Sequence, residues 1–449
     1  MIRQAWFSRG TPKAIESPRS HDRRFRAGRE RRHDLIQLFA VVAVLVLSTM
    51  ASAQPLPPPE MRGDFNVGET KFAATMTGGR VTTIQVFYPT LADQSASQYT
   101  VVTPAGPYVL RSPLGAVHDA QVAPGPFPLV VYDHGGPVAG ADNVRLSQLS
   151  LHESMASHGF IVAVALHSSD SVIRARDLPL VIDRMLARSA TDGDLMANSI
   201  DSAKIGISGF SAGGAAAIAA AQGWSEKGLA ADSRIKAMVV YEPGTFNYSA
   251  QTDAGNLTMP YLIMGGTQYW IGATIPPYFN ATVNSPQRYF VQNPNAVHLS
   301  YQCNFATEIE QTREAALLAN PSIPEPLTTL TPSNAAAARA YLLWNQGEIV
   351  FPQVGYGAGG GRNFCNRVGV NSIRSLDLNG DGFTDSPPFM ATDAFTLAPP
   401  IPEEEMTPMV HLYTLSFWKV FLQDDNRYRH FLTPGYAQRN NLKAVVTIE

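Results

Sequence analysis

The sequence predicts an α/β fold: a mostly parallel, doubly wound sheet with helices on both faces and a loop-rich insertion late in the chain. Continuous apolar runs of strand length recur along the chain, each ending in a polar or glycine-rich turn. Amphipathic or small-residue helical stretches lie between them. Apolar runs that do not alternate belong to strands covered on both faces, and strands alternating with helices build parallel sheets.

The elements follow in order. "RVTTIQVFYPT" (Arg80 to Thr90) alternates and reads as a strand. "PFPLVVYDHGG" (Pro126 to Gly136) and "HGFIVAVALHSS" (His158 to Ser169) are continuous apolar strands running into polar turns. "AKIGISGFSAGG", "RIKAMVVYEPG" (Arg234 to Gly244), "MPYLIMGGT" (Met259 to Thr267) and "QRYFVQN" (Gln287 to Asn293) continue the series. "VRLSQLSLHESMASHG" and "LPLVIDRMLARSA" are amphipathic helices, and "SAGGAAAIAAAQG" is a small-residue helix suited to close packing on the sheet. Residues 303–405 are rich in Pro, Gly, Ala and Asn and read as a cap inserted into the core of 64–302. The helical pattern returns at Met409 to Asp425, and residues 406–449 complete the core.

The first 53 residues have a different character. Arg29, Arg31 and Arg32 precede the apolar run Leu35 to Leu47, and Ala51-Ser52-Ala53 supplies a small-residue cleavage site. That is the pattern of a secretory signal peptide, and the run is short for a membrane span. Residues 54–63 form a Pro-rich leader. Residues 1–53 hold 10 Lys+Arg and 4 Asp+Glu, so the mature chain carries 24 basic and 33 acidic residues, a net of −9. An acidic chain argues against nucleic acid as a partner. The expectation is a secreted or periplasmic protein with no membrane span after cleavage. In such a compartment Cys303 and Cys365 would pair as one disulfide; two free buried thiols are the alternative.

The chemistry centres on "GISGFSAGG" (Gly206 to Gly214). Gly209-Phe210-Ser211-Ala212-Gly213 is a G-x-S-x-G sequence between a strand and a helix, which presents a nucleophilic serine on a strained turn. The flanking glycines let neighbouring backbone approach without Cβ clashes. In such sites an acid and then a histidine follow the serine in chain order. Among the later histidines, His411 and His430 belong to the C-terminal helix and its exit, which leaves His298, in a loop just after the strand ending at Asn293. Four carboxylates lie between Ser211 and His298. Glu226 and Asp232 precede a strand and fall at the wrong edge of the sheet. Glu242 stands at the strand's carboxyl end, and Asp253, in the following loop, is the reserve. The oxyanion site needs two backbone N–H groups. Ala212 supplies one. The turn "DHGGPV" supplies the other, through Gly136 or else Gly135, since Pro137 has no N–H. His134 and His167 read as structural histidines.

With these motifs in place the chain resembles α/β-hydrolases of the platelet-activating-factor acetylhydrolase-like and dienelactone-hydrolase-like groups. The resemblance runs through "FNVGETKF", "QVFYPT", "PFPLVVYDHGG", "MASHGFIVAVALHSS", "IDSAKIGISGFSAGG" and "DSRIKAMVVYEPG". It implies an α/β-hydrolase fold, and the acetylhydrolases place their acid where Glu242 stands. Two departures are the Glu in place of Asp and Phe210 where His is frequent. Ser211 argues against the cysteine chemistry of dienelactone hydrolases. The implied activity is carboxylic-ester hydrolysis through Ser211, His298 and Glu242, without an organic cofactor. A small-ester esterase, a lipase or polyester depolymerase, and a peptidase or amidase are the competing substrate readings.

A second motif lies in the insertion. "DLNGDGFTD" (Asp377 to Asp385) resembles dockerin and thrombospondin-type calcium loops. Asp377, Asn379, Asp381, the Phe383 carbonyl and Asp385 would ligate Ca²⁺. The twelfth position is Pro388, so the usual bidentate Glu is missing, with Asp393 a substitute from farther on. A polar Asp-Gly turn is the alternative.

Overall fold

The computed structural model describes residues 56–95, 97–103, 106–135, 148–167, 170–244, 250–266, 274–294, 296, 298–301 and 403–449. The chain divides into two units, Met1–Pro57 and Pro58–Glu449, and the fold below is that of the second. The signal peptide expected over 1–53, residues 303–402 of the expected cap, Cys303, Cys365 and the Asp377–Asp385 loop lie outside the described residues, while Glu403 to Glu405, the end of the expected cap, begin a helix. No helix of the described residues is long and apolar enough to cross a membrane.

Ten strands form one sheet. In chain order they are β1 (Asn66–Thr75), β2 (Val81–Thr90), β5 (Val117–His118), β6 (Phe127–Asp133), β7 (Ile161–Ala165), β8 (Ile200–Phe210), β9 (Ile235–Tyr241), β10 (Tyr261–Gly266), β11 (Arg288–Asn293) and β12 (Val445–Ile448). Two more, β3 (Gln98–Thr103) and β4 (Gly106–Arg111), make a separate antiparallel hairpin. The spatial order is β12-β11-β10-β9-β8-β6-β7-β2-β1-β5. The six strands from β7 to β11 in that order run parallel. β2 is antiparallel to β7 and to β1, and β12 is antiparallel to β11. This is the α/β-hydrolase fold.

Burial explains the choice of residues. Every residue of β6 (FPLVVYD) and β7 (IVAVA) is buried, as a central strand covered on both faces requires. The cover comes from α1 (Leu149–Ser157), α2 (Ser171–Ser189), α3 (Ala212–Gln222) and α6 (Glu403–Leu422). Asp170 caps α2, its side chain accepting from the Ile173 N–H at 2.8 Å. The α3 sequence, AGGAAAIAAAQ, is nearly all buried. Its small side chains let the helix lie close to β8 and β9. On the other face α6 is tied to the sheet by a 2.8 Å hydrogen bond between the hydroxyls of Thr414 and Tyr241. Two short helices, α4 (Ala250–Asp253) and α5 (Ile275–Ala281), link β9 to β10 and β10 to β11; α7 (Pro434–Arg439) leads into β12.

β1, β12 and the β3–β4 hairpin extend the architecture that the apolar runs predict. β1 carries Glu69, Thr70 and Lys71 in its middle, so its apolar pattern is broken. Its Glu69 is buried because Gln85 and His118 hydrogen-bond its carboxylate.

Candidate active site

Ligand sites in open parallel sheets lie beyond the carboxyl ends of the strands. β8 ends at Phe210, and Ser211 follows with φ 53° and ψ −119° before α3 begins at Ala212. Close packing fixes this turn. A Cβ on Gly209 would sit 2.4 Å from the Gly213 carbonyl oxygen, and one on Gly213 would sit 2.2 Å from that of Asp133. Both contacts are with backbone, so the G-x-S-x-G spacing lets α3 begin directly against the end of β6. Phe210 is fully buried.

Glu242 directly follows β9, the neighbouring strand. The Ser211 N–H donates to the Tyr241 carbonyl at 2.9 Å, and the Gly244 N–H donates to the Ser211 carbonyl at 2.8 Å. The two turns are therefore laced together. The Glu242 N–H donates to Met264 O at 2.9 Å, and its Oε1 accepts from the Gly266 N–H. Glu242 is fully buried, whereas Ser211 retains 7 % exposure. That is a suitable division between an orienting acid and a group that must meet a substrate.

Backbone strain singles out the same pair. Six non-glycine residues among those described have positive φ: Asp119, Asn198, Ser211, Glu242, Asp424 and Asn441. Asn and Asp tolerate this region because their short side chains bond locally. Ser211, at 53°, and Glu242, at 43°, are not of those two types, and they are neighbours. Such outliers cluster at functional sites, where the surrounding structure over-determines them.

His298 begins the 3₁₀ turn His298–Tyr301 that follows β11. Tyr301 anchors this turn. Its hydroxyl donates to Asn293 Oδ1 at 2.9 Å, its carbonyl accepts from Gln148 Nε2 at 2.5 Å, and its ring centroid lies 6.5 Å from that of Tyr241. Burial, and secondarily the charge of Glu242, push its phenol well above the ordinary range. Tyr301, at the end of this turn, thus stands near Glu242. Asp253 is elsewhere. Its Oδ2 accepts from the Ser225 N–H at 3.0 Å, beyond the far end of α3, so it serves the opposite edge of the sheet.

The turn after β6 is described as far as Gly135; Gly136 lies outside the described residues. Around it is a buried polar cluster. Arg174 of α2 donates through Nη1 to the His134 carbonyl at 2.6 Å and to Asp133 Oδ1 at 3.2 Å. His134 Nε2 accepts from the His167 N–H at 3.0 Å, and its Nδ1 lies 2.9 Å from the Gly135 carbonyl. Burial and the Arg174 charge hold the His134 imidazole well below its ordinary pKa, so it is neutral. Reading along the chain missed Arg174. Its signal was a helix face, Arg174-Asp177-Leu178-Val181, that mixes charges with core residues. Among the described residues no group of three or more His, Cys, Asp or Glu could hold a metal ion.

Comparison with family models and with curated protein sequences finds no match. Among solved structures, a ferulic acid esterase from Streptomyces cinnamoneus is similar at 16 % identity and a TM-score of 0.43, covering 83 % of this chain and 93 % of that one. At that identity and score, the reading of the site rests on its own geometry.

Proposed function

We propose that the protein is an exported serine hydrolase of carboxylic esters, with Ser211, His298 and Glu242 as its triad. The observation that carries this is the pair of adjacent strained turns: Ser211 on a nucleophile turn and Glu242 at the next strand end. The order of motifs supports a place near the acetylhydrolase-like and dienelactone-hydrolase-like enzymes.

In this reading Ser211 Oγ attacks the ester carbonyl while His298 takes its proton. Glu242 holds the imidazole's orientation and stabilises the imidazolium. The Ala212 N–H and a second N–H from the turn after β6, assigned to Gly136, receive the oxyanion. Collapse of the tetrahedral intermediate releases the alcohol, protonated by His298, and leaves an acyl-serine. Water, deprotonated by His298, then frees the acid and restores Ser211.

Ser211→Ala should lower hydrolysis of p-nitrophenyl esters by about a thousandfold or more while the far-ultraviolet circular dichroism stays native. Hydrolysis at the native rate in that variant would remove Ser211 from the mechanism. A panel of soluble esters, emulsified lipid, polyester film and a matched amide sorts the substrate classes.

A further inference from the structure

We infer that Gly266 is a positioning residue for the acid: its N–H fixes the Glu242 carboxylate, and the acid must be glutamate, not aspartate, to reach it. The inference rests on the serine-hydrolase reading above and deepens it.

The sheet's own ladder carries the argument. β9 and β10 are parallel, and their register pairs Met238 with Tyr261 and Tyr241 with Met264. Rungs between parallel strands are evenly spaced. The Met238 N–H donates to the Pro260 carbonyl at 3.2 Å, and four residues on the Glu242 N–H donates to the Met264 carbonyl at 2.9 Å. Continued in the same phase, the next rung would run from the Gly266 N–H to the backbone carbonyl of Glu242. In the structure that N–H donates to the Glu242 side chain, at Oε1. The turn is the cause. β9 ends at Tyr241, and at φ 43° the main chain of Glu242 leaves the sheet. Its carboxylate takes the place that its carbonyl would have filled.

The acid is thus held by the backbone of β10, every residue of which is buried. A charge-assisted bond of this kind is about twice as strong as a neutral one. Reach then decides the residue type. Aspartate is shorter by one C–C bond, about 1.5 Å, and would leave the rung open. Gly266 has a second task. A Cβ there would overlap the carbonyl oxygen of Ala296, two residues before His298. The residue that fixes the acid therefore also lets the chain leading to the histidine turn pack against it.

Glu242→Asp keeps the charge and withdraws it from Gly266. Its kcat for p-nitrophenyl acetate should fall on the order of 10²-fold, the scale of a misplacement by about 1 Å, with KM nearly unchanged. Native kcat in that variant would overturn the requirement for reach. Nuclear magnetic resonance of the unaltered protein tests the bond without any variant. The assigned Gly266 amide proton should resonate downfield of ordinary strand amides and move upfield in Glu242→Asp. An ordinary shift in the unaltered protein would overturn the proposal. Ser211→Ala, assayed alongside, separates the two levels. Hydrolysis at the native rate there removes the serine reading and the positioning role with it. An inactive Ser211→Ala beside a fully active Glu242→Asp removes the positioning role alone.

Discussion

Glu242 is the residue on which the site turns. A glutamate at φ 43° is costly, and its carboxylate is fully buried. Both features follow if the carboxylate must face a fixed neighbour at the strand ends. Glu242→Gln keeps the volume and removes the charge. Its kcat for p-nitrophenyl acetate should fall by about 10³–10⁴-fold, as when a triad acid is neutralised elsewhere. Asp253→Asn should leave kcat within a few-fold, since Asp253 bonds the Ser225 backbone at the other edge. Ser211 and Glu242 were legible because strand ends and chain order constrain them. The Arg174 contacts were not, since they depend on which helix face meets which turn.

Among the elements, the junction of β8 and α3 is the most constrained. Gly213 lies where a Cβ would be 2.2 Å from the backbone oxygen of Asp133 at the end of β6. Gly213→Ala must therefore push α3 away from the sheet. Overpacking of this kind costs about 1–3 kcal/mol, to be read as a lowered midpoint in urea unfolding, with a larger proportional loss of kcat. The apolar runs announce the central parallel strands because burial on both faces demands them. β1 and β12 are less visible. β1 interleaves charged residues that find partners only after folding. β12 is a four-residue strand with one buried residue, Val446. α2 extends upstream of its amphipathic stretch to Ser171, because the Asp170 cap stabilises the first turn.

Across the molecule, buried titratable groups shape stability against pH. Glu153 of α1 is fully buried, accepting from Tyr99 Oη at 2.9 Å, Ser112 Oγ at 2.8 Å and the Leu114 N–H at 2.7 Å. It ties the β3–β4 hairpin to α1. Burial outweighs these donors and pushes its carboxyl up to about 7. A raised acid holds its proton more tightly folded than unfolded. Its contribution is thus present at low pH and lost as pH rises from about 4.5 to about 7. Relative to Glu153→Gln, the native protein should lose about 3 kcal/mol across that window. The buried histidines act in the other direction. His152 is lowered to about 3, and His158 and His411 to about 4, mainly by burial. Their contribution is present above about 6.5 and is lost as pH falls towards these values. Unfolding followed from about pH 4 to pH 8 in both proteins separates the two effects.

In the proposed function Ser211 is an activated nucleophile, with His298 as its base and Glu242 as its acid. Labelling with a fluorophosphonate, followed by peptide mapping, probes that activation at the atom concerned. One adduct per chain is expected, on the peptide containing Ser211, with labelling about a hundredfold or more slower in His298→Ala, the usual scale of a lost general base. No adduct, or an adduct on another residue, would refute the assignment.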